Sequence, residues 1–415
     1  MTRSFCLTIL LLAHDHLWGV ETAQEAKLDY KAPPHNYWER PPQDAVTAAL
    51  KKIENGELKV DTSNDRAFVS SLLGALKVPV SSQLLVYSAT SMQSGIINPR
   101  NPRALYFNDE IYVGFVPGGL VEIMGVDPEL GGVFYIFDKP QPGQLPRTDR
   151  STRCFNCHAG SATMRIPGLL AESVAPIISG ASYENYRRDE QGHQIPLADR
   201  FGGWHVTSAK PFGETKANIF ARSDGSGVKI VKVKPGEMWD IEKHLLPSSD
   251  ILPHLIHEHQ IGFDNQVIHA AYIAREIGDK GRTPTLADDK RLNEKASALV
   301  GYILFADEAK LPPSGIVGDE QYATDFLSNK KASGSGLSLK DLDLKTRMFK
   351  HRCSYMLYTP QWQKLPALIK NRVYAGMKLA LSGKDRNYAY LSAQERLAIV
   401  SILRETLPDL PADWR

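Results

Sequence analysis

The chain has 415 residues, of which 42% are hydrophobic, and its formal net charge is only +2. This length accommodates one large domain or two ordinary ones, with a sizeable buried core. A charge so close to zero gives no electrostatic case for binding nucleic acid or for a polybasic membrane anchor.

The N-terminus combines a basic start with a short apolar run. Arg3 precedes the run at residues 5–13 (FCLTILLLA), and small residues follow at Ala23 and Ala26. This pattern predicts a secretory signal peptide over residues 1–23, and therefore a periplasmic or otherwise exported protein. A buried N-terminal helix is the alternative. A membrane-spanning helix needs about 20 apolar residues, and since no run in the chain is that long, no stable membrane span is expected.

The first half of the remaining chain is predicted to be rich in strands. Helices are predicted over 43–54 and 65–76. Short runs of Val, Ile, Tyr and Phe then alternate with turn residues such as Pro117-Gly118-Gly119, which predicts an antiparallel meander. Its predicted strands are 84–88, 104–107, 111–116, 120–126 and 133–138.

One motif, CFNCH at residues 154–158, follows this meander. The spacing C-x-x-C-H is typical of c-type haem attachment. Two thiols three residues apart lie on the same side of a helical turn, so both can reach the vinyl groups of one haem. His158 then lies beneath the ring as an iron ligand. We therefore predict one haem c per chain, bound covalently through Cys154 and Cys157.

Three other interpretations of the motif are open. A redox dithiol usually follows a strand in a thioredoxin-like βαβ unit, and the sequence shows no such unit. A structural zinc site usually needs a second Cys or His pair at close spacing, whereas the next histidines after His158 are His193 and His205. A plain disulfide between Cys154 and Cys157 would leave His158 unexplained.

The second half of the chain is predicted to be mostly helical. Strands near 218–222 and 228–233 form a hairpin around the turn at residues 224–227. Helices are then predicted over 250–278, 286–307, 318–329, 361–382 and 392–406. The fold class is therefore α+β: an antiparallel β meander, the haem motif, and a mostly helical C-terminal half. We expect residues 24–415 to form a single large haem domain, with a sub-boundary near 140–150.

The function depends on the far side of the iron. A strong second ligand favours electron transfer, whereas an open position favours ligand binding or peroxide chemistry. Candidates are His205, His254, His257, His259, His269, His351, Met164 and Met356. His259 is preferred, because on the predicted helix it shares an apolar face with Leu255 and Phe263. It is also the candidate catalytic residue if the site is open. His205 is a weaker candidate, and His254 and His257 are expected to be solvated.

Two arginines beside the motif and one cysteine outside it are further candidate site residues. Arg153 and Arg165 flank the motif, and either could pair with the haem propionates, although plain surface charge is the alternative. Cys353 has no partner in sequence and is expected to be a buried thiol packed as a small hydrophobic group.

The chain resembles a group of large exported bacterial proteins with a single cytochrome-c-type motif. The resemblance rests on stretches spread over most of the chain: ALYFND (104–109), IYVGFVPGG (111–119), VDPELGGVFY (126–135), CFNCH (154–158), IPG (166–168), FGGW (201–204), EHQ (258–260) and CSYMLY (353–358). It implies export and covalent haem, but no substrate. This sequence has Asp264 where the resemblance leads us to expect a second histidine on the helix of His259.

Three functions remain open from the sequence. The first is electron transfer, with a redox partner protein. The second is a haem-dependent, peroxidase-like oxidoreductase with an open or displaceable distal site and a small-molecule substrate, in which His259 would act as acid–base catalyst. The third is a haem-based sensor or binding module. Electron transfer is preferred, because it is the least demanding use of a bound haem.

Overall fold

The structure is a computed structural model that describes residues 28–414, except 139, 140, 146, 187–190 and 235. The predicted signal peptide over residues 1–23 lies outside the described residues. Within them, no helix combines the length and the apolar composition needed to cross a bilayer.

The strand-rich half of the described chain is built on one antiparallel sheet. Its seven strands are β1 (Leu84–Val86), β2 (Arg103–Phe107), β3 (Ile111–Phe115), β4 (Val121–Asp127), β5 (Gly131–Phe137), β6 (Thr148–Arg150) and β9 (Trp204–His205). Their spatial order is β6-β5-β4-β3-β2-β1-β9. The central strands therefore follow one another hairpin by hairpin, which confirms the predicted meander.

Two short helices, α1 (Ala45–Glu54) and α2 (Asp65–Ala75), cover one face of this sheet. The Asp44 side chain caps α1 by accepting from the backbone N–H of Val46, and it also accepts from the Tyr135 hydroxyl at 2.5 Å. Gly125 of β4 faces the same cap so closely that a Cβ atom there would collide with Asp44. The helix is thus anchored to the sheet through its first turn.

The long helix α4 (Ile251–Asp279) packs against the opposite face of the sheet. The Tyr112 hydroxyl of β3 reaches Asp264 on α4, and the Tyr272 hydroxyl of α4 donates to the Leu130 carbonyl before β5. Because α4 also contacts the helices that follow it, most of its residues are buried on every side. This helix therefore joins the strand-rich half to the helical half.

The remaining helices complete the α+β fold, which confirms the predicted class. They are α5 (Leu286–Ile303), α6 (Glu320–Leu327), α7 (Pro360–Gln363), α8 (Ala367–Leu381) and α9 (Ala393–Thr406). The predicted helix over 361–382 is two helices, because Pro366 cannot donate a backbone hydrogen bond and ends the first of them. The predicted hairpin is present as β10 (Ile219–Ser223) and β11 (Val228–Lys232), and the pair β7 (Val174–Pro176) and β8 (Ser182–Asn185) was not predicted.

Candidate functional site

The CFNCH motif forms a single helical turn, α3 (Phe155–His158), just after β6. Phe155 is buried among aromatic rings, with ring centroids 4.8 Å from Trp38, 5.0 Å from Tyr37 and 5.4 Å from Phe134. This anchor holds the turn against the sheet. Cys154 is partly buried and Cys157 is exposed, and neither forms a disulfide. Both thiols therefore remain available for another covalent bond.

The ring of His158 is fixed by a backbone acceptor. Its Nδ1 lies 2.9 Å from the Gly168 carbonyl oxygen. Since a carbonyl can only accept, Nδ1 carries the proton and Nε2 carries the lone pair. Burial lowers the pKa of His158, which favours this neutral form. His158 thus presents a free, metal-binding nitrogen, in the arrangement that commonly orients histidine ligands.

The segment that supplies this acceptor is itself held in place. The Gly168 N–H donates back to the His158 carbonyl at 2.8 Å. Next to it, Leu169 exchanges two hydrogen bonds with the Asn265 side chain of α4, at 2.8 and 2.9 Å. A Cβ atom at Gly168 would come within 2.6 Å of the Asn265 amide oxygen, so the close approach requires glycine here. The orientation of His158 is therefore tied to α4.

Cys154, Cys157 and His158 line a cavity of about 440 Å³ between the motif, the sheet and α4. This volume is within the range of pockets that bind small molecules and cofactors. Most of the sheet residues that line the cavity belong to β2 to β5 and lie on the face toward α4, while Ile123 and Tyr135 belong to the other face. Those on the face toward α4 are Arg103, Leu105, Tyr112, Gly114, Glu122, Met124 and Phe134.

A glycine opens the centre of this wall. Gly114 pairs with Leu105 on one side and with Glu122 on the other, so it occupies the middle of a cross-strand row. An added Cβ atom would find its nearest neighbours at 3.5 Å, which is ordinary contact. The lack of a side chain at Gly114 therefore leaves room in the cavity rather than relieving a backbone clash.

His257 of α4 lines the same cavity as His158. It is 4% exposed, which contradicts the expectation that it is solvated, and its ring packs against Phe107 at 5.2 Å and Tyr112 at 5.7 Å. Burial, with a smaller contribution from the charge of Arg103, lowers the pKa of His257 to about 3. Among the described residues neither ring nitrogen has a hydrogen-bond partner, so a neutral imidazole faces the cavity.

The structure places His259, the preferred ligand from the sequence, away from the cavity. Its Nδ1 lies 2.8 Å from Nδ1 of His193, and its Nε2 lies 2.9 Å from the Ser354 hydroxyl. Residues two apart on a helix point to opposite sides, so His257 and His259 cannot face the same partner. His259 therefore belongs to a hydrogen-bonded cluster in the helical half, and the cavity of the motif is lined by His257 instead.

The other predicted residues fall into two groups. Arg153 lines the cavity, whereas Arg165 is exposed and does not. His205 is fully buried but lies elsewhere, with Nε2 at 3.2 Å from the Pro99 carbonyl. Cys353 is fully buried, as predicted, and burial raises its pKa.

Sequence reasoning missed a charged pair on the cavity wall. The guanidinium of Arg103 on β2 lies 3.0 Å from the Glu122 carboxylate on β4, and both side chains are less than one-fifth exposed. The Nε atom of Arg103 is buried without a hydrogen-bond partner. These residues lie two strands apart on the same face, with Gly114 between them. The alternation of β2 could have identified Arg103 as facing inward.

Within the described part of the chain, no cluster of three or more His, Cys, Asp or Glu side chains could hold a bare metal ion. Comparison of the whole sequence and structure with protein-family models, with curated proteins and with solved structures found no match.

Proposed function

We propose that the chain is an exported c-type haem protein that transfers electrons, with one haem bound covalently through Cys154 and Cys157. His158 would be the first iron ligand. The observation that carries this proposal is the hydrogen bond from His158 Nδ1 to the Gly168 carbonyl, which leaves Nε2 free beside a cavity that both cysteines line. A merely structural C-x-x-C pair has no need for a histidine held in this way.

The residues of the cavity suit the group chemically. Leu105, Met124 and Phe134 offer an apolar wall to a macrocycle, and the thiols reach the cavity from one helical turn. Arg103 and Arg153 offer guanidinium groups to carboxylates. When bound, the haem supplies an iron centre that accepts and returns one electron.

The residue available as second axial ligand supports electron transfer. His257 offers a buried neutral imidazole to the cavity that His158 faces, and a strong second ligand suits an electron carrier rather than an open reaction site. The aromatic rings of Phe107 and Tyr112 pack against His257 on α4 and would hold its imidazole in place as this ligand. The proposal includes a redox partner protein that exchanges electrons with this site.

The second candidate function is the haem-dependent oxidoreductase. The observation that favours it is the polar lining of the cavity, where Glu122, Arg103 and the Tyr112 hydroxyl lie beside apolar residues. Such groups could orient a substrate or move a proton. In that case His257 would be displaced or would act as an acid–base group.

Optical spectra of the haem-loaded protein distinguish the two functions. Electron transfer predicts a low-spin spectrum in both oxidation states, with reduced bands unchanged by carbon monoxide. A high-spin oxidised spectrum with rapid carbon monoxide binding would contradict the electron-transfer proposal. Absence of any haem absorbance after expression with a haem-attachment system would contradict both functions.

Filling the cavity at Gly114 is expected to reduce haem loading. A leucine at this position would project between Leu105 and Glu122 into the space that the cofactor needs. We expect Gly114→Leu to lower the haem content per chain severalfold without loss of folding, since leucine is tolerated in strands better than glycine. The measurement is the ratio of haem absorbance to protein, with circular dichroism to confirm the fold.

The matched control is Gly114→Ala, whose methyl group meets its neighbours at ordinary contact distance. It should retain close to the parental haem content. Equal haem content in the leucine variant would place the cofactor somewhere other than this cavity.

A further inference from the structure

A buried carboxyl group lies directly behind the cavity wall. Asp264 of α4 is 1% exposed, and its Oδ2 lies 3.3 Å from the hydroxyl of Tyr112, which lines the cavity. Its second oxygen, Oδ1, is buried without a hydrogen-bond partner. An isolated carboxylate in such surroundings is costly, so the carboxyl group favours its neutral form.

The amide of Gln260 determines which atoms surround the Tyr112 hydroxyl. Gln260 Nε2 donates to the Asp109 carboxylate at 3.2 Å and to the Tyr355 hydroxyl at 2.9 Å. The Asp109 carboxylate forms an ion pair with Lys340 at 3.0 Å, so it can only accept a hydrogen bond from Gln260. This arrangement fixes the amide orientation, so that Gln260 Oε1 faces Tyr112 at 3.4 Å.

The Tyr112 hydroxyl therefore has one hydrogen and two acceptors, Gln260 Oε1 and Asp264 Oδ2. If Asp264 is ionised, Tyr112 can donate to only one of them, and the other buried oxygen loses its partner. If Asp264 is protonated, it donates to Tyr112 and Tyr112 donates to Gln260. The protonated form therefore satisfies the contacts of all three groups, and the ionised form is favoured only when an added positive charge in the cavity stabilises the carboxylate.

The surrounding charges act in the same direction. Burial is the main cause that raises the pKa of Asp264, and the carboxylates of Asp109 and Glu110 raise it further, whereas the Tyr112 hydroxyl lowers it. Tyr302 of α5 also interacts with Asp264, and it is neutral because burial raises its own pKa. The positive charge of Lys340 is offset by its ion pair with Asp109. A change of charge in the cavity is therefore expected to shift the pKa of Asp264.

We propose that Asp264 takes up one proton when the cavity gains one electron, with Tyr112 as the positioning residue between the carboxyl group and the cavity. The inference rests on the proposed function, since it requires a redox centre beside Tyr112. The balance is simple: one electron enters from an external reductant, and one proton from solvent forms the O–H bond of the Asp264 carboxyl group. Oxidation reverses both transfers, so the net charge of the buried region stays constant.

The test is the reduction potential of the haem-loaded protein as a function of pH. The added electron stabilises the protonated form, so the pKa of Asp264 is higher in the reduced protein than in the oxidised protein. Between these two pKa values the potential should fall as pH rises, by up to about 59 mV per pH unit, which is the value for one proton and one electron. Asp264→Asn should remove this slope in the same pH range.

Two further variants give the test its controls. Tyr112→Phe keeps the carboxyl group but removes its hydrogen bond to Tyr112, so the pH range of the slope should shift relative to the parent protein. Asp279→Asn makes the same change at the exposed end of the same helix and should leave the slope unaltered.

The outcomes separate this inference from the proposed function. A haem-loaded protein whose potential is independent of pH, or whose slope persists in Asp264→Asn, overturns the role of Asp264 alone. A protein without haem overturns the proposed function and the inference with it. Infrared spectra of the loaded protein provide a second readout, because a carboxylic acid band should be lost on oxidation in the parent and absent in Asp264→Asn.

Discussion

Replacing both Cys154 and Cys157 by serine is expected to abolish covalent haem attachment. Serine preserves the size and the helical turn but cannot form a thioether bond, so the haem should be extracted completely by acidified solvent. Haem staining of the denatured protein measures this loss. Each single variant should retain attachment through the remaining thiol at reduced yield.

Cys353→Ala is the matched control for this prediction. Cys353 is fully buried in the helical half and is not among the cavity residues, so its loss should leave covalent haem unchanged. Covalent haem that survives the double serine change would contradict the assignment of the motif. Loss of haem in Cys353→Ala with a normally folded chain would contradict it as well.

Replacing His257 by glutamine is expected to open the iron to external ligands. Among the described residues that line the cavity, His158 and His257 are the two histidines. Loss of the His257 imidazole should convert a low-spin oxidised spectrum to a high-spin one and allow the reduced protein to bind carbon monoxide. We expect carbon monoxide affinity to rise by at least about tenfold, equivalent to about 1.4 kcal/mol.

His259→Gln distinguishes this account from the ligand preferred on sequence grounds. His259 interacts with His193 and Ser354 in the helical half, so its replacement should lower stability but leave the haem spectrum unaltered. A high-spin spectrum in the His259 variant, together with a parental spectrum in the His257 variant, would reverse the assignment. If both variants keep the parental spectrum, the second ligand is another group, with Met92 and Met124 the sulfur donors in the cavity.

Sequence patterns predicted the elements of this fold better than their mutual packing. The meander strands and the long helix predicted at 250–278 lie within a few residues of the observed elements, because alternation and helical periodicity are local properties. Short strands such as Trp204–His205 were not predicted. That strand is defined by its pairing with Leu85 and Val86, more than a hundred residues away, which no local pattern reveals.

The orientation of α4 explains why the sequence pattern favoured His259, although His257 is the histidine of this helix that lines the cavity. An apolar stripe identifies the buried face of a helix only when the other face is solvated. On α4, His254, His257, His259 and Asp264 are all buried, because the sheet covers one side and the later helices cover the other. The stripe that contains His259 is real, but it faces the helical half rather than the cavity.

The most direct test of the central claim is the mass of the peptide that carries the motif. Trypsin should cleave after Arg153 and Arg165 and release residues 154–165, which contain both thiols and His158. From protein matured with a haem-attachment system, we expect this peptide to carry the added mass of one haem. Recovery of the unmodified peptide, or of a peptide with only an internal disulfide, would contradict this expectation.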